Sequence, residues 1–311
     1  MVATITSRPT DQEWASPGTD DPLVRSHMDA LLSRRPAVGL AMGVVRAGGQ
    51  VAFRAHGLAD VASRTPVTED TVFRIASITK TFTAIAVMQL HERGLVDLDA
   101  PANDYLRAYR LVPTKPWFGP ATVRHLLTHT AGLGEVSPPW GVALPDWGES
   151  VKAGRPLPSL AEHYRGELRI AAEPGTRFVY GNHSPATLGQ IVEDVSGEPL
   201  DRYFRERIFE PLGMADSDLG QSDRTRSRLA TGYTLGARGP KAVPDREFVT
   251  VGAASVRSTP RDMARYLAAL LGGGTNEHGS ILFPATLAAM FAPQFQPDRR
   301  LAGMGLGFFR A

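Results

Sequence analysis

One run sets the terms for the rest of this chain. Residues 77–93, SITKTFTAIAVMQLHER, are apolar at Ile78, Phe82, Ile85, Ala86, Val87, Met88 and Leu90. That is helical spacing, and Arg93-Gly94 supplies the glycine that closes a helix. The spacing predicts a helix over 77–93. Upstream, Val38–Arg46 and Gln50–His56 are two β-rich runs around Ala47-Gly48-Gly49, a hairpin signature. Residues 22–34 have Leu23, Val24, Met28, Leu31 and Leu32 at helical spacing, and shorter helical patterns follow at 122–129, 159–165, 185–196, 199–207 and 260–271. Residues 251–258 read as a strand; its Gly252-Ala253-Ala254-Ser255 run reads as small residues near the site or as close backbone packing. No internal repeat is visible.

Composition narrows the class. At 311 residues, the chain makes about two domains or one large composite domain. A 42% hydrophobic, 21% charged composition excludes disordered, collagen-like and membrane-embedded chains. With no cysteine, disulfide frameworks, thiol catalysis, iron–sulfur clusters and cysteine-bound zinc are excluded. Basic side chains number 34 against 32 acidic, too even a balance for a nucleic-acid partner. No stretch reaches about 18 consecutive apolar residues, so no membrane span is expected. The opening MVATITSRPTDQEWASPGTDDP lacks the apolar core of a secretory signal. Residues 1–21 are expected to form a loose arm, and a cytoplasmic location is the default, with a periplasmic or secreted one left open.

Residues 134–158 carry Pro138, Pro139, Pro145, Pro156 and Pro158 with Trp140 and Trp147. A loop this long is a surface excursion or faces a substrate. Trp117 lies nearby in sequence, which favours the substrate reading, with Trp140 and Trp147 as candidate binding residues.

The chemistry concentrates in Ser77-Ile78-Thr79-Lys80. Residues three apart on a helix share a face, so the hydroxyl and the ammonium can meet. A serine hydroxyl needs a base to take its proton. A lysine serves only if burial or the positive end of a helix dipole lowers its pKa. The same helix start offers the Ser77 N–H to a developing oxyanion. With 17 serines and 4 lysines, one Ser-x-x-Lys arises by chance roughly one time in five; its bland reading is a capping serine with an exposed lysine. A second element is Tyr180-Gly181-Asn182. With 7 tyrosines and 3 asparagines, its chance occurrence is roughly 7%. The tyrosine hydroxyl could shuttle the proton, and the Asn182 amide could hold Lys80 and a substrate carbonyl. A buried structural tyrosine is the competing reading.

These two motifs together resemble the class C β-lactamase-like serine hydrolases, which include penicillin-binding-protein-type esterases and D-amino-acid peptidases. The likeness extends to FRIASITKTFTAIAVMQLHERGLVDLDAPANDYL (73–106), VRHLLTHTAGL (123–133), FVYGNHSPATLGQIVEDVSGEPL (178–200), RIFEPLGMADS (207–217) and STPRDMARYLAALLGGG (258–274). The resemblance implies an α+β fold: a mostly antiparallel sheet flanked by helices, with a helical subdomain across the site. On that pattern residues 22–311 form one composite domain, its α/β part about 22–76 and 250–311, its mainly helical part about 77–249. It implies Ser77 as nucleophile, Lys80 and Tyr180 as the base system, and Asn182 as the group orienting lysine and substrate. Substrates would be small esters, then D-amino-acid amides or peptides, then β-lactams, with no metal or organic cofactor and an oligomeric state left open. A non-catalytic binding or sensing module is the rival reading.

The family's third motif, a Lys or His followed by a small residue and Gly on a strand, has no match. The chain ends in Gly303-Met304-Gly305-Leu306-Gly307-Phe308-Phe309-Arg310-Ala311, which resembles the glycine-aromatic strand preceding that motif. The expectation is a truncated version of a longer chain with an incomplete sheet, since a lone 38–56 hairpin is marginal in water.

His125 and His129 share a helix face, but a zinc-protease helix needs Glu where Leu126 stands; a structural role with Thr128 and Thr130 is expected. His183 reads as a surface histidine or as a residue lining the site. There is no Gly-x-Gly-x-x-Gly, Gly-x-Ser-x-Gly or P-loop.

Overall fold

A computed structural model describes residues 22–46, 49–134, 149–220, 222–298, 300 and 302–310. The arm at 1–21, Trp140 and Trp147 lie outside the described residues. The N-terminal half forms α1 (Pro22–Arg34), β1 (Gly39–Arg46), β2 (Gly49–Asp60), β3 (Thr65–Pro66), β4 (Phe73–Arg74), α2 (Thr79–Glu92), β5 (Arg110–Pro113) and α3 (Val123–Leu127). Then come β6 (Ser150–Lys152), α4 (Leu160–Tyr164), β7 (Glu167–Ile170), α5 (His183–Ser196), α6 (Leu200–Phe204), β8 (Asp218–Leu219) and α7 (Asp223–Arg226). The chain closes with β9 (Tyr233–Gly236), β10 (Gly239–Ala242), β11 (Arg246–Phe248), α8 (Val251–Ala254), β12 (Val256–Ser258), α9 (Pro260–Leu271) and α10 (Pro284–Phe291).

The class is α+β with mostly antiparallel pairing; among the named strands only β5 and β7 run parallel. The expected hairpin is β1–β2, paired from Gly39↔Gly57 to Arg46↔Gly49 with a bulge at Val44/Val45. β2 runs on past His56 and adds β3, while α1 and α9 pack against the pair. α9 begins at Thr259, whose hydroxyl accepts from the Asp262 N–H, with Pro260 in the first turn, so a capping hydroxyl and a pre-set φ fix its start.

The centre of the molecule is α2. Ten of its fourteen residues are buried, more than one amphipathic face accounts for, so α2 is enclosed on nearly every side. Phe82 stacks on Tyr266 at 4.2 Å and meets Phe209 edge-on at 5.6 Å. Its C-terminus closes as expected. Gly94 is left-handed (φ 69), its N–H reaches the His91 carbonyl, and the Leu95 N–H reaches the Leu90 carbonyl, the paired bonds of a Schellman cap. α5 and α8 pack against α2.

Two segments differ from their sequence expectation. Residues 251–254 are the short helix α8, and only Val256–Ser258 is strand. Small side chains let this segment coil tightly onto α2 and α5: a Cβ on Gly252 would sit 3.0 Å from the Pro185 carbonyl oxygen, and Gly252 accepts from Thr83 Oγ1 at 2.6 Å. The close-packing reading of this run holds. Residues 303–309 do not form a regular strand; they make isolated bridges from Met304 to Phe295 and to Phe309. Gly307 is left-handed (φ 78), and a Cβ there would meet the Ala84 Cβ at 2.4 Å, so the segment turns against α2 instead of extending.

A cleft of about 730 Å³ lies between the start of β1 and β9–β11, lined by Gly39, Leu58, Phe73, Tyr233, Leu235 and Phe248 among others. It holds no nucleophile–base pair. Among the described residues no helix is long and apolar enough to cross a membrane.

Candidate active site

Ser77 lies in a single 3-10 turn, Ala76–Ile78, that runs directly into α2. The turn is pinned from both sides. The Ile75 N–H reaches the Val256 carbonyl at 3.1 Å, and Thr79 Oγ1 accepts from the Val256 N–H at 3.0 Å. Beneath it, Arg74 and Arg257 sit opposite each other on β4 and β12. Asp245 pairs with Arg74, and Glu247 pairs with both guanidiniums. Arg257 is fully buried, so these carboxylates offset a charge that could not stand alone there. Ala76 adopts φ 45, a left-handed conformation that costs a residue with a Cβ about 1–2 kcal/mol. Strain of this kind clusters where a side chain must be presented outward. Ser77 is accordingly exposed.

The Lys80 ammonium faces it. Nζ donates to Ser77 Oγ at 3.0 Å, to Asn182 Oδ1 at 2.9 Å and to the Ala253 carbonyl at 3.1 Å. Its residue is 6% exposed, and burial lowers its pKa from the ordinary 10.5 to about 8, with Glu149 pulling the other way. The directions of the three bonds matter. Asn182 Oδ1 and the Ala253 carbonyl can only accept. When Lys80 gives up a proton, its two remaining N–H groups satisfy those acceptors and its lone pair is left to face the Ser77 hydroxyl.

Tyr180 places its ring over Lys80, with Nζ 5.0 Å from the centroid, within cation–π range. That ring also meets aromatic neighbours: His129 at 4.9 Å and Phe309 at 5.8 Å, with Phe178 at 5.9 Å from each of them. His129 is 5% exposed and left-handed (φ 56) at the end of α3. Burial first, and then the Lys80 charge, hold its pKa down at about 3, so its ring is neutral. His125 instead caps α3: its ring accepts from the Thr122 N–H at 3.2 Å. Thr128 and Thr130 bond each other at 2.8 Å, not His129. Among the described residues no group of three or more His, Cys, Asp and Glu could hold a metal ion.

Asn182 stands at the N-cap position of α5, where an asparagine usually bonds the first turn. It makes no such bond. Its amide spans two groups instead: the oxygen on Lys80, and Nδ2 donating to Glu149 Oε2 at 3.0 Å. His183 is 2% exposed, so the surface reading fails. Nδ1 meets the Tyr164 hydroxyl at 2.8 Å, and Nε2 lies 3.5 Å from Glu149 Oε1.

Thus Ser77, Lys80, Tyr180 and Asn182 converge, with His183 behind Asn182. Sequence reasoning missed Glu149, the Ala253 carbonyl and Phe309. Glu149 has no motif around it, and a backbone carbonyl has no residue signature.

Comparison with known proteins gives the family. A family profile described as Beta-lactamase matches residues 24–311. The chain is 32% identical over 291 residues to "Esterase EstB" of Burkholderia gladioli, covering 87% of this chain and 70% of that one. It is 29% identical over 266 residues to "D-alanyl-D-alanine-carboxypeptidase/endopeptidase AmpH" of Escherichia coli strain K12, covering 86% of this chain and 66% of that one, so it spans just under two thirds of that relative. The octameric penicillin-binding protein homologue from Pyrococcus abyssi superimposes with a TM-score of 0.74 at 28% identity, over 92% of this chain and 64% of that one. A serine–lysine pair at the head of a buried helix, a Tyr-x-Asn turn against it and a matching profile over nearly the whole chain together place this protein in the Beta-lactamase family.

Proposed function

We propose that this chain is a serine hydrolase acting through an acyl-enzyme on small esters. The observation that carries the reading is the Lys80 Nζ to Ser77 Oγ contact at 3.0 Å, in a setting where both other partners of Nζ are acceptors. Ser77 Oγ attacks the substrate carbonyl carbon while its proton passes to Lys80 Nζ. The carbonyl π electrons move to oxygen, and the Ser77 N–H at the head of the turn faces the resulting oxyanion. Collapse breaks the bond to the leaving group, which takes a proton from the Lys80–Tyr180 pair. Water then attacks the Ser77 ester and gives up a proton to the same pair, which returns one to Ser77 Oγ as the acid leaves. Asn182 orients the lysine; with its Nδ2 engaged by Glu149, substrate contact is secondary. His183 lies behind Asn182, its Nε2 3.5 Å from Glu149 Oε1.

The 32% identity to "Esterase EstB" supports the ester reading. Amides of D-amino acids are the second substrate class, supported by the 29% identity to AmpH.

The test is turnover of p-nitrophenyl butyrate together with fluorophosphonate labelling read by intact and peptide mass. The expected result is an adduct on Ser77 and loss of both signals in Ser77→Ala. Equal turnover by Ser77→Ala refutes the assignment. Labelling of Ser77 without ester or amide turnover makes the protein an acyl-trapping binding module instead.

A further inference from the structure

We propose that Glu149 is a positioning residue: it locks the Asn182 amide with its oxygen on Lys80, so that the lysine lone pair has only Ser77 to meet. This rests on the hydrolase reading above.

An asparagine amide can present either end to a neighbour. If Nδ2 faced Lys80, it would donate to the neutral amine and compete with the Ser77 hydroxyl for the single lone pair. Glu149 removes that choice. An ionised carboxylate only accepts, and it takes Nδ2 at 3.0 Å, so Oδ1 is the end left for Lys80 at 2.9 Å. The amide is not free to serve its own helix either, since Asn182 makes no capping bond to α5.

Glu149 is itself fixed. Its carbonyl accepts from the Val249 N–H at 2.7 Å, and it immediately precedes β6, which pairs with β11 through Ser150↔Phe248. Its second oxygen faces His183 Nε2 at 3.5 Å. The Tyr164 hydroxyl occupies His183 Nδ1, and burial lowers the His183 pKa. Nε2 makes no hydrogen bond among the described residues, so the ring meets the carboxylate by proximity alone. The hydrogen bonds therefore run from Glu149 through Asn182 to Lys80, with His183 and Tyr164 packed beside the carboxylate.

Glu149 also acts through charge, since it favours the Lys80 ammonium against burial. The groups facing Glu149 and His183 are Asn182 from α5, Tyr164 and His163 from α4, and Lys80 from α2; His129 and Tyr180 face Lys80 from the other side. Burial holds both His129 and His183 below the ordinary histidine value, and Lys80 is the group in contact with Ser77 Oγ, so its titration is expected to set the acid limb.

Two substitutions separate the roles. Glu149→Gln keeps an oxygen for Asn182 Nδ2 and removes the charge. Glu149→Leu removes both. The readout is the rate of Ser77 labelling by a fluorophosphonate as a function of pH, with circular dichroism confirming the fold. Glu149→Gln is expected to move the acid limb about one pH unit lower, because the amine is then freed at lower pH. Glu149→Leu is expected to lower the plateau about tenfold, with Glu149→Asp recovering part of it. A Glu149→Gln profile superimposed on the wild type, or a Glu149→Leu plateau equal to it, overturns the proposal. If the wild type does not label at Ser77 at all, the hydrolase reading fails rather than the role of Glu149.

Discussion

Replacing Lys80 by methionine is expected to make the protein more stable at neutral pH and less stable at high pH. Lys80 is buried with its pKa lowered from 10.5 to about 8, which corresponds to about 3 kcal/mol favouring the neutral amine in the folded chain. Below about pH 8 both folded and unfolded chains carry the proton, and the fold bears that full penalty. Between about 8 and 10.5 the unfolded chain binds a proton that the folded chain has released, so wild-type stability rises with pH through this window. Methionine fills similar volume without charge. It leaves Asn182 Oδ1 and the Ala253 carbonyl without their donor, a loss of about 1 kcal/mol each. The net expectation is a variant about 1 kcal/mol more stable at pH 7 and about 2 kcal/mol less stable above about pH 10.5. At about 2 °C per kcal/mol for a chain of this size, the order of the melting temperatures inverts. Urea denaturation of both proteins across this range reads the difference directly and cancels every other titrating group. Parallel stability–pH curves for the two proteins would falsify the claim that Lys80 is held as a strained charge. Labelling of Ser77 should be lost in the variant at every pH.

Gly307→Ala should destabilise by about 2 kcal/mol or more, because its φ is 78 and the added Cβ meets Ala84 at 2.4 Å; thermal melting measures it, and an unchanged melting temperature contradicts the packing described. His129→Phe should label at Ser77 within about threefold of wild type, since a neutral ring serves behind Tyr180, while His129→Ala should cost about 2–3 kcal/mol of stability by opening a gap there. A rate for His129→Phe as low as for Ser77→Ala would mean that the imidazole nitrogens take part in the chemistry.

What could be read from the sequence was local. The α2 helix, its Gly94 cap, the β1–β2 hairpin and the span of α9 follow from spacing and end signals within one segment, and each of those signals agrees with its tertiary environment. The meeting of Ser77 and Lys80 was legible for the same reason: one helical turn separates them. What failed depended on the partner. Gly252-Ala253-Ala254-Ser255 has no period of its own, and only α2 and α5 make it coil. Gly303–Phe309 alternates as a strand would, yet the approach of Ala84 turns it back. Glu149 lies far from Asn182 in sequence, and nothing near it signals that strand pairing delivers its carboxylate to the site. His183 looked like a surface or lining residue because its partners, Tyr164 and Glu149, come from other segments.

The enclosure of α2 has a kinetic consequence. Amide protons in a helix wrapped on nearly every side exchange with solvent only when the whole domain opens. The helix that carries Lys80 and follows the serine is therefore expected to be among the slowest-exchanging parts of the protein. Adaptation to a different acyl group must come from the chain segments around the mouth, because the floor cannot yield.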